Sequence, residues 1–115
     1  MAYSAYIIGE IPKRITIQCR KNFETVQYVL EKRGFNVINP LKNLLNKKMN
    51  VVDANKINIR QLLNCNVVYI LPSVSFDNTK NAELLLAIKL NLLIIQDLVF
   101  LTENEAIEEL ADLEI

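Results

Sequence analysis

The run Val67-Val68-Tyr69-Ile70-Leu71, closed by Pro72, limits this chain more than any other feature. It is unbroken, apolar and rich in β-branched residues. A strand with one wet face alternates apolar and polar positions. A strand with no polar position needs cover on both faces, which is the situation inside a parallel sheet flanked by helices. The run therefore predicts a central strand of a layered α/β domain.

The rest of the chain is read outward from that strand. Tyr3 to Gly9 is a short apolar first strand, and Pro12 keeps the residues after it out of regular structure. Between about Ile15 and Arg33, Cys19, Phe23, Val26 and Leu30 fall at helical intervals, with Lys21, Glu24, Glu31 and Lys32 on the wet side. Gly34 is suited to stop that helix in the left-handed conformation. Phe35 to Asn39 is a second strand, closed by Pro40.

Leu41, Leu44 and Leu45 predict a short helix, followed by a solvated Asn-Lys loop. Asp53 is the expected N-cap of a helix running to about Asn64. Another helix is expected from about Asn78 to Leu90. It is apolar nearly all round, which calls for burial by the domain or by a partner subunit. Leu92 to Ile95 and Leu98 to Leu101 are the last expected strands. Thr102 and Glu105 form a capping box for a final helix from Glu103 to about Leu113.

Strands alternating with helices imply right-handed crossovers and one three-layer domain spanning 1–115, with about five parallel strands. Ligands of such sheets bind beyond the carboxyl ends of the strands. That rule selects the loops Gly9 to Arg14, Asn39 to Val52, Pro72 to Thr79 and Gln96 to Leu101.

Composition narrows the chemistry. The chain has no histidine, which excludes Ser-His-Asp and Cys-His nucleophile pairs and histidine-bound zinc. Two distant cysteines, Cys19 and Cys65, are too few for an all-thiolate zinc site and are expected as reduced core thiols. Thirteen basic and thirteen acidic residues balance, which argues against a nucleic-acid grip. No membrane span and no signal peptide are expected, and the expected location is cytoplasmic. Neither a Gly-x-Gly-x-x-Gly loop nor a Walker loop is present.

The residues left for chemistry are few. Gly9 either lets a ligand approach the backbone or is a simple turn glycine. Glu83 lies one turn inside its helix among Leu and Ala; it is either a carboxylate held at the ligand crevice or a first-turn glutamate facing water. Tyr6 either offers a phenol to the same crevice or is an ordinary strand aromatic. Asn39, Asn58, Asn66, Asp77, Asn78 and Asn81 cluster in or near the ligand-side loops, where amides suit sugar hydroxyls and base edges.

These pieces together resemble a known group. Tyr6-Ile7-Ile8-Gly9 is similar to the Tyr-Ile-Ala-Gly opening of the nucleoside 2-deoxyribosyltransferase-like superfamily, and more narrowly to its DUF4406-type small proteins. Gly34-Phe35-Asn36-Val37-Ile38-Asn39-Pro40 resembles the Gly-Tyr-x-Val-x-Asn-Pro second strand of that branch. The stretch Asn58 to Pro72 resembles Asp-Ile-x-x-Leu-x-x-Cys-Asp-x-Ile-x-Leu-Leu-Pro. Glu83 to Leu92 resembles a Glu-x-x-x-Ala-x-x-Leu-Gly-Leu helix end. The likeness spans roughly residues 3 to 96.

The resemblance implies a flavodoxin-like fold, with Glu83 as the nucleophile in N-glycosidic bond transfer or hydrolysis on a nucleoside or nucleotide. Tyr6 would orient it. Gly9, Glu10, Ile11, Asn39, Asn58, Ser73, Asp77 and Asn78 would surround the substrate, with no cofactor and no metal. A homo-oligomer is also implied, since subunits of the superfamily often complete each other's sites, which suits the apolar helix around Glu83. The departures are specific. Asn58 and Asn66 stand where the branch has aspartates, and Phe76 to Lys80 replaces an Asp-Ser-x-Gly-Ala loop. Glu10 stands where a proline often follows the first-strand glycine, and is a candidate replacement carboxylate. The lost aspartates raise an alternative, a non-catalytic module binding a nucleotide-like ligand or a protein. A third reading is a structural subunit assembled through the leucine-rich helix.

Overall fold

A computed structural model describes residues 3–71 and 82–96, the side chain of Gln96 excepted. Its elements are β1 (Ser4–Ile8), α1 (Ile17–Lys32), β2 (Asn36–Ile38), α2 (Leu41–Leu44), α3 (Val51–Leu63), β3 (Val67–Ile70), α4 (Ala82–Lys89) and β4 (Leu93–Gln96). The strands form one parallel sheet in the order β2-β1-β3-β4. This is an α/β fold compatible with a flavodoxin-like layout. The described sheet has four strands rather than the expected five. The expected fifth, Leu98 to Leu101, and the helix after it lie outside the described residues.

Alternation along β1 sorts its side chains into two cores. Ala5 and Ile7 pack with Phe23, Val26 and Leu30 of α1. Tyr6 and Ile8 point the other way, against Leu62 of α3 and Leu84 and Ala87 of α4. All four residues of β3 are buried, as an apolar strand covered on both faces requires.

The helix ends follow from single residues. Thr16 Oγ1 accepts from Cys19 N at 3.1 Å and starts α1. Gly34, at φ +91°, ends it: Gly34 N donates to Glu31 O and Phe35 N donates to Leu30 O, a Schellman pair. The same motif closes α4 without glycine. Asn91 takes φ +56°, its N–H donates to Ile88 O, and Leu92 N donates to Ala87 O. Asparagine stands here where the resembled pattern has glycine; after glycine it is the residue that best tolerates this conformation.

The start of α3 corrects the sequence reading. The N-cap is Asn50, whose Oδ1 accepts from Asp53 N at 2.8 Å. Asp53 is three residues further in, where its charge still favours the helix N-terminus. Both are cap-type residues, and only the extended backbone at Asn50 distinguishes them.

Candidate functional site

The strand order reverses direction between β1 and β3: the chain leaves β1 toward β2 on one side and leaves β3 toward β4 on the other. A crevice opens at the carboxyl ends of strands at such a point. Here the cavity is about 1190 Å³. The loop after β1 forms one wall with Gly9, Glu10, Ile11 and Lys13. The start of α1 contributes Thr16, Gln18 and Asn22; α3 contributes Val51, Asn55, Asn58 and Ile59; and Ala82 and Glu83 come from the start of α4.

Glu83 sits at the cavity, not on an outer wet face. Its Oε2 is buried and has no hydrogen-bond partner among the described residues. Burial pushes its carboxyl above the ordinary value, and the nearby Tyr6 phenol partly offsets this. Tyr6 is wholly buried, and its hydroxyl also lacks a partner among the described residues. Burial raises its proton affinity most, and the Glu83 charge adds to that. The two groups therefore interact electrostatically, while no hydrogen bond of normal length and angle joins them.

Gly9 has a structural reason that neither sequence reading named. A Cβ there would press on the Leu71 side chain and lie 2.7 Å from Phe23 Cζ. Its backbone lines the cavity because Leu71 and Phe23 close in behind it.

The amides divide by position. Asn58 is buried and committed: its Nδ2 donates to Pro40 O at 3.3 Å, and its Oδ1 accepts from Asn43 Nδ2 at 2.7 Å. An amide supplies both halves of that bridge, whereas an ionised carboxylate, which only accepts, does not. Asn39 does not line the cavity; its Oδ1 accepts from Leu41 N and its Nδ2 donates to Gln27 Oε1, which holds β2 to α1 and α2. Asn66 lies at the opposite, amino-terminal end of the sheet, exchanging bonds with the Ser4 backbone at 3.0 Å each way. Its amide carries no consequence for the crevice. Ser73, Asp77, Asn78 and Asn81 lie outside the described residues.

The sequence reading missed the helix faces that line the cavity. Gln18 and Asn22 are four apart on α1, and Val51, Asn55 and Ile59 are successively four apart on α3. The spacing was visible, but it shows a shared face and not what the face meets. Both cysteines are free and buried; burial raises Cys19 and pushes Cys65 up to about 11. Among the described residues no helix is long and apolar enough to cross a membrane.

The fold and crevice define the class: an α/β domain with a carboxylate-bearing cavity at its strand-order reversal. Residues 3–96 match the family model described as a domain of unknown function, DUF4406, and the chain belongs to that family. No curated protein and no solved structure matches the chain.

Proposed function

We propose that the chain cleaves or transfers the N-glycosidic bond of a nucleoside or nucleotide, as a relative of the nucleoside 2-deoxyribosyltransferase-like superfamily. One observation carries the reading: a buried carboxylate oxygen of Glu83, without a hydrogen-bond partner among the described residues, at the edge of a cavity above the sheet. The order of motifs from Tyr6 to Leu92 supports the kinship. Exposed Leu85 and Ile88 on α4 support assembly with a second copy.

In this reading a Glu83 Oε attacks C1′ of the sugar. The C1′–N bond breaks and its electron pair leaves with the base, which takes a proton from Glu10. The reaction is that of a retaining glycosidase, with charge building at an oxocarbenium-like carbon beside a carboxylate. A second base nitrogen or a water then attacks C1′ and returns its proton to Glu10. The C1′–Oε bond breaks, and its pair goes back to Glu83. Tyr6, kept protonated by burial, serves only as a donor that orients the carboxylate.

Chromatographic assay of free base from deoxyribonucleosides and their 5′-monophosphates tests this. The expected result is turnover by the native chain and a loss of about a thousandfold or more in Glu83→Gln. No native turnover, or equal turnover in the variant, rejects it.

A second reading, ligand binding without turnover, is favoured by Asn58. That position offers an amide already engaged by Pro40 and Asn43, and no carboxyl group for acid chemistry. Thermal stabilisation by deoxynucleotides without product release would select it. Absence of any stabilisation would reject it.

A further inference from the structure

The zero net charge of the chain is the sum of two unlike parts. The described residues carry twelve Lys and Arg against five Asp and Glu, a net of +7. Residues 97–115 carry seven Asp and Glu and no Lys or Arg. The boundary coincides with the end of the family match at residue 96. The acidic segment thus lies beyond the residues that match the family.

The positive charge is not neutralised within the described residues. Their one ion pair is Arg20–Glu24, at 4.0 Å. On α1, Lys32 stands over the Tyr28 ring and Arg33 Nη1 donates to Val29 O. The stretch from α2 to α3 differs: Lys42, Lys47, Lys48, Lys56 and Arg60 are all exposed, with Asp53 the one acidic residue among them. None of the five has an acidic partner among the described residues. Such a surface attracts a polyanion through the release of counterions.

We propose that residues 97–115 pair with these exposed cations of the stretch from α2 to α3 in the same chain, occupying positions that otherwise take an external polyanion. Charge complementarity selects the occupant. Reach permits it: nineteen residues leaving Gln96 can extend roughly 60 Å, more than the 40 Å long axis of the molecule. The inference is independent of the proposed reaction, because none of the five cations lines the cavity.

Carbodiimide crosslinking of the whole chain at ~50 mM salt, in a mixture of ordinary and ¹⁵N-labelled protein, reads the pairing directly by peptide mass spectrometry. Bonds from Lys42, Lys47, Lys48 or Lys56 to acidic residues of 97–115, within one isotopic form, are expected. Crosslinks confined to Lys13, Lys21 or Lys89, links only between differently labelled chains, or no links overturn it. A second measurement uses the full chain carrying Glu108→Gln, Glu109→Gln, Asp112→Asn and Glu114→Gln, checked for native circular dichroism. Its affinity for a short labelled DNA duplex should rise about tenfold or more over the native chain at low salt. Unchanged affinity overturns the proposal.

Discussion

Tyr6 Oη and Glu83 Oε2 are both shut away from water without a hydrogen-bond partner among the described residues, and each alters the other's hold on its proton. One lies in the middle of β1 and the other in the first turn of α4, 77 residues later in the chain. Buried polar atoms of this kind weaken a fold unless something else meets them.

The first consequence is a pH dependence of stability. The Glu83 carboxyl in the folded chain has its pKa raised above 4.5 by burial. The folded state therefore binds more protons than the unfolded state once the pH passes 4.5, and stability falls as pH rises through the folded value. Glu83→Gln removes this dependence. Urea titrations from pH 4 to 8 should show the variant gaining on the native chain by on the order of 1 kcal/mol, with the gap closing below pH 4.5.

Tyr6→Phe tests the other partner. It deletes a buried hydroxyl without a partner among the described residues, so stability should hold or rise by about 1 kcal/mol. It also removes the group that lowers the Glu83 pKa. In the proposed reaction the acid limb of the pH–rate profile then moves to higher pH, while the neutral-pH fold stays intact. An unmoved limb would show that the phenol does not act on Glu83.

Gly9→Ala should destabilise by about 1–3 kcal/mol, because the new methyl meets Leu71 and Phe23 in the core. Pairing it with Phe23→Leu should cost less than the two single changes added together, as the space is shared. Thermal melts of the four proteins measure the coupling.

Two Asn→Asp changes restore the acidic residues of the resembled pattern, and they should differ. At Asn58 the change turns the donor to Pro40 O into a buried carboxylate facing that carbonyl. A loss of about 1–3 kcal/mol is expected at neutral pH, recovered at low pH when the new carboxyl is protonated and donates again. At Asn66 the side chain only accepts, from Ser4 N, and the residue is exposed. Asn66→Asp should be near neutral in the same denaturation assay.

Asn91→Ala should cost about 1 kcal/mol, since alanine tolerates the left-handed backbone poorly. Asn91→Gly should be neutral or stabilising. Loss of stability in the glycine variant would mean that the Asn91 side chain is needed as well as its backbone.

Much of the fold could be read locally. Apolar periodicity and the breaks at Gly34, Pro40 and Pro72 set out the described elements to within a few residues, because helices and strands differ in the spacing of their buried side chains. The cap of α3 was misplaced by three residues, since Asn50 and Asp53 have equal cap chemistry and differ in backbone. The site was half legible. Gly9, Glu10, Ile11, Asn58 and Glu83 do share one cavity, but Asn39 and Asn66 look the same as Asn58 in sequence and serve the backbone elsewhere.

By itself the sequence determined the layered α/β plan, the histidine-free chemistry and the exceptional position of a glutamate in an apolar helix. These depend on residue type and on spacing within one element. Tertiary structure alone decided that Glu83 meets the phenol of Tyr6, that Gly9 yields space to Leu71 and Phe23, and that the Asn58 amide is tied to Pro40 and Asn43. Each of those joins elements distant along the chain, and their meeting is set by strand order and crossover, which spacing within an element does not encode.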